Sequence, residues 1–399
     1  MNFDSPSSSR PQTHSPAIPS GLAAAETRLD ENDDSTPERT PDLQHLIANY
    51  QSLIRNRQID HPVRFMFVRE LGRGRQGVVF LAIRHGGRTC TTRHALKFHD
   101  PSIYSSAATY WDDMTRIASQ ITKLQPIQCA SLVTRETYDE YKGIGCIQMT
   151  AIDGVDLQYL IEGTHLAIAR GQSSDKEWTH FMHVLFRIQH GRVMLQPGLA
   201  LHILRRILTG LTVMHEAGFL HSDVKPSNVM IDRMGAVKLV DFGRAVIIGE
   251  PISILLGSPF YMAPETHRLE PGLAQSDIYG TGLVGIELLG GQPLLDCAQK
   301  TEAELLEHKI GLVQRLESML PSHIRTDAPL VATLKRFIDP DPARRFATAE
   351  EAADSDQGLR GIHRNMALLS TDAEYDRELE LYFEKIADPE TGRVNPRLT

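Results

Sequence analysis

The chain has 399 residues, 41% of them hydrophobic, and a formal net charge of −8. That length allows more than one domain with sizeable cores. The acidic balance argues against a nucleic-acid-binding protein, which usually carries a basic surplus. The four cysteines (Cys90, Cys129, Cys146 and Cys297) form no CxxC pair and no metal-ligand spacing. No apolar run approaches 18 residues, and "MNFDSPSSSRPQ" has no apolar core for a signal peptide. The expectation is a cytoplasmic protein with reduced thiols and no membrane span.

Residues 1–41 are rich in Ser, Pro, Thr and acid, and residues 1–45 set eight acidic side chains against three arginines. Such a tail buries too little apolar surface to offset the entropy of ordering and is predicted to be disordered. Its four Ser/Thr-Pro pairs fit ordinary tail composition or a set of phosphorylation sites. A helical extension is expected over 42–64, where "PDLQHLIANYQSLIRNR" puts Leu43, Leu46, Ile47, Tyr50 and Ile54 on one face. Strands with glycine turns follow in "VRFMFVRELGRGRQGVVFLAIRHGG" and "CTTRHALKFHD". A helix around 106–125 and strands near 132–137 and 144–150 complete a β-rich part at about 65–150. From 151 to 357 the pattern is mainly helical, as in "LALHILRRILTGLTVMHEAG" and "SDIYGTGLVGIELLGG". The expected fold is α+β, a small β-rich lobe and a larger helical lobe with a cleft between them.

The chemistry concentrates in a few motifs. "GRGRQGVV" supplies Gly72, Gly74 and Gly77, but the strand-like "VVFLAIR" follows where a dinucleotide site needs a helix. A glycine turn between strands can instead lie over nucleotide phosphates with its N–H groups exposed to them. Lys97 in "HALKF" is either a solvated strand lysine or, on a strand beside that flap, a cation pointing into the cleft. In "LHSDVKPSNVMIDRMGAVKLVDFG", Asp223, Lys225 and Asn228 lie on a loop, because Pro226 interrupts helix continuation, and a strand then delivers Asp241. Phosphoryl transfer needs this inventory: a group to orient and deprotonate a hydroxyl, oxygen ligands for Mg²⁺, and cations against phosphate charge.

Over roughly 65–350 the chain resembles a eukaryotic-type Ser/Thr protein kinase through "GRGRQGVV", "HALK", "HSDVKPSN", "DFG", "APE" and "SDIYGTG". The resemblance implies ATP and Mg²⁺ as cofactors and a protein serine or threonine as acceptor. It makes Asp223 the catalytic base and Lys225 a γ-phosphate contact. Asn228 and Asp241 become Mg²⁺ ligands, and Lys97 a contact to the α/β-phosphates. Met149 becomes the gatekeeper, Thr150, Ala151 and Ile152 the adenine-binding hinge, and Asp156 a ribose contact. Val79, Ala95 and Met230 would sandwich adenine. In "GSPFYMAPE", Ser258 would bond Asp223 and Lys225, and Glu265 would pair with Arg345. Asp277 would anchor the catalytic loop, and "KPSN" favours Ser/Thr over Tyr as acceptor.

Two departures stand out. Ser222 replaces the arginine usual before the catalytic aspartate, a non-RD arrangement that removes the positive pocket for an activation-segment phosphate. The usual phosphoacceptor slot is Ile254, with Ser253 beside it. Registering the helix before "SLVTRE" puts Gln120 where a glutamate should pair with Lys97, with Asp112 or Asp113 as alternatives if the helix is offset. A nucleotide-binding pseudokinase scaffold and a small-molecule kinase are the competing readings. The long stretch at 162–197 carries Trp178, Phe181, Met182, Val184, Leu185 and Phe186, which either pack on the helical lobe or form a partner surface. A charged amphipathic helix falls in the extension 358–399, with no role assigned.

Overall fold

A computed structural model describes residues 42–252, 259–291, 301–366, 369 and 371–394. The acidic tail, Ser253, Ser258 and Cys297 lie outside these residues. Helix α1 (Leu43–Asn56) starts at Asp42, whose side chain accepts the His45 N–H at 2.8 Å, and buries Leu46, Tyr50 and Leu53. It stops earlier than the helical extension expected over 42–64. Arg57 takes the left-handed conformation and donates its N–H to the Leu53 carbonyl, which ends the helix. The chain then enters a short strand, β1 (Gln58–Ile59), antiparallel to β2 (Arg64–Gly74).

Strands β3 (Gly77–His85) and β4 (Thr91–His99) continue this sheet. After helix α2 (Ala107–Leu124), strands β5 (Arg135–Tyr141) and β6 (Ile144–Thr150) close it in the order β1-β2-β3-β4-β6-β5. A Ser106/Thr109 capping box starts α2, and Tyr110, Met114, Ile117, Gln120, Ile121 and Leu124 are buried at helical spacing. One core joins the inward residues of α1 and α2 to Phe65, Phe67, Phe80 and Phe98 of the sheet. Residues 42–56 are thus part of this lobe's core.

The second lobe begins at β7 (Gly154–Asp156) and α3 (Leu157–Glu162). Helices α4 (His165–Gln172) and α5 (Asp175–Val184) and the hairpin β8 (Phe186–Gln189)–β9 (Arg192–Leu195) form the long insertion. Helix α6 (Pro197–Glu216) leads through β10 (Phe219–Leu220) to the catalytic loop, then to β11 (Val229–Asp232), β12 (Val237–Leu239) and β13 (Val246–Ile247). Strands β7, β11 and β12 form a small sheet in the order β12-β11-β7. Helices α7 (Pro264–His267), α8 (Ala274–Gly290) and α9 (Glu302–Ile310) follow. Further helices run from Leu312 to Met366, before the last helix, Asp372–Ile386. All the residues of α8 from Ser276 onward are buried, as expected of a helix apolar on every side.

The insertion and the last helix fold on each other. Tyr382 sits with its hydroxyl against His165 Nδ1 and its ring against Phe181 and Phe186. Lys385 reaches Glu177 at 2.7 Å and His180 reaches Glu378 at 2.9 Å. Phe181, Val184, Leu185 and Phe186 are buried in the helical-lobe core, and Trp178 and Met182 pack against it. These side chains therefore serve packing, each fully buried one contributing about 1.5–3 kcal/mol. No helix among the described residues is long and apolar enough to cross a membrane.

Candidate active site

The glycine flap is the β2–β3 turn, closing at the pair Gly74–Gly77. Gly77 has φ 142°, and an added Cβ would lie 1.9 Å from the Phe98 carbonyl oxygen, so only glycine fits beside β4. A Cβ at Gly72 or Gly74 would meet open space, which leaves the flap backbone approachable by a ligand. Behind the flap, β4 sets Lys97 opposite Val79 and Ala95 opposite Met149, while β11 sets Met230 opposite Asp156. Val79 and Ala95 thus sit on adjacent strands of the first sheet and Met230 on the small sheet of the second lobe, with Thr150, Ala151 and Ile152 running from the end of β6 toward β7. Asp156 also caps α3, its Oδ1 accepting the Tyr159 N–H at 2.8 Å.

Lys97 is 5% exposed. Its ammonium donates to Asp241 Oδ1 at 2.5 Å and to Gln76 Oε1 at 3.1 Å. Burial raises the Asp241 carboxyl, but the charge and hydrogen bond of Lys97 outweigh it and hold the group below the usual range. The expected Lys97–Gln120 contact is not made. Gln120 lines the same small cavity as Lys97, Met149 and Asp241, yet its Nε2 donates to the Ala245 carbonyl. Helix register put Gln120 at the cleft, but the amide answers a main-chain carbonyl that needs a donor. Neither aspartate substitutes: Asp112 is exposed, and Asp113 is held by Arg116 at 2.7 Å and by the Tyr104 hydroxyl at 2.6 Å.

The catalytic loop is held from beneath. Asp277 on α8 accepts the N–H groups of His221 and Ser222, each at 2.8 Å, and a bond from His215 at 2.9 Å. Burial raises this carboxyl and those donors bring it below its ordinary value. His221 is buried, and burial lowers its pKa, so the ring is neutral. Its Nδ1 accepts the Asp223 N–H at 3.2 Å, which leaves Nε2–H to donate to the Val240 carbonyl at 3.0 Å. This neutral imidazole bridges the loop to the backbone just past β12, next to Asp241.

Asp223 is buried, and its oxygens meet three donors. Oδ2 accepts from Lys225 Nζ at 2.8 Å and from Asn228 Nδ2 at 2.9 Å, and Oδ1 accepts from the Arg244 guanidinium at 3.1 Å. Asn228 Nδ2 also donates to the Asp223 carbonyl at 2.8 Å, turning its amide oxygen the other way. Ser222 and Asp241 carry φ 64° and 62°, left-handed values that cost non-glycine residues about 1–3 kcal/mol and cluster at functional sites. Glu265 and Arg345 form a buried two-point pair at 2.7 and 2.8 Å, with the Ser276 hydroxyl on the same carboxylate at 2.8 Å.

Three contributors were not foreseen. Arg244 directly follows the "DFG" triplet. A cation there, beside a loop lacking its own arginine, was the available signal. Arg116 on α2 donates to the carbonyls of Ala245 at 3.3 Å and Gly243 at 3.4 Å, on either side of Arg244. Gln76 lies inside the flap motif, and nothing in the pattern marks it as a lysine contact.

Comparison with known proteins agrees with this geometry. The protein kinase domain model matches residues 65–356. A probable serine/threonine-protein kinase of Corynebacterium efficiens is 33% identical over 209 residues, 51% of this chain and 30% of the relative. Serine/threonine-protein kinase PrkC of Bacillus subtilis is 32% identical over 163 residues, 39% of this chain and 24% of the relative. A probable cAMP-dependent protein kinase catalytic subunit of Encephalitozoon cuniculi is 34% identical over 144 residues, 36% of this chain and 42% of the relative. The chain thus spans less than half the length of each of these relatives. With the domain match covering most of its length and the flap, buried lysine, catalytic loop and "DFG" strand brought to one cleft, the chain belongs to the protein kinase family.

Proposed function

We propose that this chain is an ATP-dependent serine/threonine protein kinase that moves the γ-phosphoryl group of Mg-ATP to a protein hydroxyl. The observation that carries the reading is the convergence of Asp223, Lys225, Asn228, Asp241 and Lys97 in one cleft, beside the segment that leads to Glu265. Asp223 orients the acceptor hydroxyl and takes its proton as the oxygen bonds to the γ-phosphorus and the bond to the β-phosphate oxygen breaks. Lys225 stands against the charge that develops there, and Lys97 against the α/β-phosphates.

The donor set suits a hard cation. Asp241 Oδ1 is engaged by Lys97 while its side chain stays 33% exposed, and Asn228 turns its amide oxygen away from Asp223. Asn228 and Asp241 would hold Mg²⁺, which when bound neutralises phosphate charge. The pseudokinase scaffold is the weaker reading, because Lys97, Asp223, Asn228 and Asp241 are all present.

The test is transfer of labelled phosphate from ATP to dephosphorylated casein by the parent and by Asp223→Ala. The variant should lose about 10²–10⁴-fold in rate and keep its nucleotide affinity, since Asp223 acts on the hydroxyl. A variant within a few-fold of the parent removes Asp223 from the reaction. A parent that binds ATP and transfers nothing fails the reading.

A further inference from the structure

The helical lobe buries a lysine completely. Lys309, next to the end of α9, is 0% exposed. An ammonium taken out of water costs several kcal/mol unless its donors are satisfied. Its partners include the Pro259 carbonyl, the Met262 carbonyl at 2.5 Å and His267 Nε2 at 2.6 Å. These three lie in residues 259–267, the stretch that runs through "PFYMAPE", the segment that the kinase resemblance makes peptide-docking, into α7.

The imidazole extends this contact to the surface. Burial, then the Lys309 cation, lowers the His267 pKa and keeps the ring neutral. Its Nε2 faces both the ammonium at 2.6 Å and the Pro259 carbonyl at 3.2 Å, and its Nδ1 meets Glu302 Oε2 at 2.7 Å. Glu302 and Lys309 are seven residues apart on α9, two turns along one face. One helix therefore grips the stretch twice. The two gripped carbonyls are three residues apart and converge on a single ammonium, which fixes the curvature of the backbone between them. Within that curve, the Tyr261 hydroxyl donates to Glu287 Oε2 at 2.8 Å.

We propose that Lys309 is a positioning residue that sets 259–267 in the shape that docks the acceptor protein. The proposal rests on the kinase reading above. The cation that shapes the docking stretch is then built into the chain and requires no added phosphate. Lys309 grips 259–267 directly, so its effect falls on acceptor recognition.

The experiment compares parent, Lys309→Met and Glu302→Gln as full chains. Methionine keeps the length of the side chain and removes its donors. Lys309→Met should raise the KM for dephosphorylated casein about ten-fold, with the KM for ATP within about two-fold of the parent. Glu302→Gln, at the half-exposed end of the relay, should move the casein KM the same way by less. Hydrogen exchange supplies a readout that needs no activity. Amides of 259–267 should exchange at least about ten-fold faster in Lys309→Met while those of α6 are unchanged. Unchanged exchange in 259–267 overturns the proposal, and so does a fall in kcat with both KM values unmoved. If Lys309→Met does not fold, the Glu302→Gln comparison decides on the same two readouts. A parent that binds ATP without labelling casein fails the kinase reading, and the exchange rates still decide whether Lys309 sets the stretch.

Discussion

Replacing Arg244 by methionine isolates what its guanidinium does for Asp223. The two side chains are 4% and 6% exposed and meet at 3.1 Å. Removing one partner of a buried pair costs about 3–5 kcal/mol when the other is left uncompensated. Asp223 is not left so, because Lys225 and Asn228 remain on its other oxygen at 2.8 and 2.9 Å. The loss should then sit near that of one charge-assisted hydrogen bond, about 2 kcal/mol, read as a lower urea midpoint at unchanged slope. The carboxylate would be held through one oxygen and free to turn about it. If roughly 1.4 kcal/mol of the lost orientation is expressed in the transition state, kcat falls about ten-fold. The KM for ATP should hold, since Arg244 contacts Asp223, the proposed base. Steady-state kinetics with casein and urea unfolding on the same protein give both numbers. A destabilised variant with parental kcat makes Arg244 a packing residue. A kcat above the parent's means that Arg244 restrains the base.

Two further outcomes follow from the same contacts. Gln120→Glu should reduce kcat several-fold, because a carboxylate cannot donate to the Ala245 carbonyl that Gln120 now holds; a rate at or above the parent's would restore Gln120 as the working partner of Lys97. The last helix should be held on α6 in a pH-dependent way. Burial alone would lower the pKa of His202, but Asp372 at 3.1 Å and Asp376 at 3.0 Å raise it above 6.5, with Arg205 and Arg206 also facing these carboxylates. That contribution is fully present below 6.5 and is lost as pH rises through the raised value. The His202 hydrogen bond, acting against burial, lowers Asp372, so its contribution is present above 3.8 and is lost as pH falls through the depressed value. Amides of Asp372–Ile386 should exchange faster at about pH 8.5 than at about pH 5.5 after correction for intrinsic rates, and His202→Asn should flatten the difference.

The two lobes, the flap and the catalytic loop were legible because their signals are local. β-Branched and aromatic runs with glycine turns mark β2 to β4, a 3.6 period marks α2 and α6, and the loop chemistry is packed into 24 residues from Leu220 to Gly243. Helix register placed Gln120 at the cleft correctly. Its partner was not legible, since Ala245 lies 125 residues away and presents a main-chain carbonyl. The same limit hid the fate of the C-terminal helix: "DAEYDRELELYFEKI" shows an apolar face, but only the fold puts Tyr382 against His165 and Phe186. The pattern also misjudged α1, where Leu53 is buried and the helix ends at Asn56. Lys309 is the clearest case. In "EAELLEHKIG" it reads as part of a charged face, and its burial depends on carbonyls some fifty residues earlier.

The serine before Asp223 takes its meaning from Arg244. Ser222 is small and neutral, and its main-chain N–H is fixed by Asp277, so it brings no cation to the loop. The cation beside Asp223 comes from the following segment, one residue past "DFG". The carbonyls on both sides of that residue are held from α2, Gly243 by Arg116 and Ala245 by Arg116 and Gln120. Moving α2 away from the cleft would break those three contacts together and loosen the backbone on both sides of Arg244. The orientation of Asp223 is therefore coupled to the seating of α2, and Gln120 serves that coupling because its amide N–H can hold a carbonyl where a carboxylate cannot. A glutamate at this position would pair with Lys97 at the cost of Ala245. In this chain Lys97 already has Asp241 and Gln76, and the helix spends its donors on the backbone that carries Arg244.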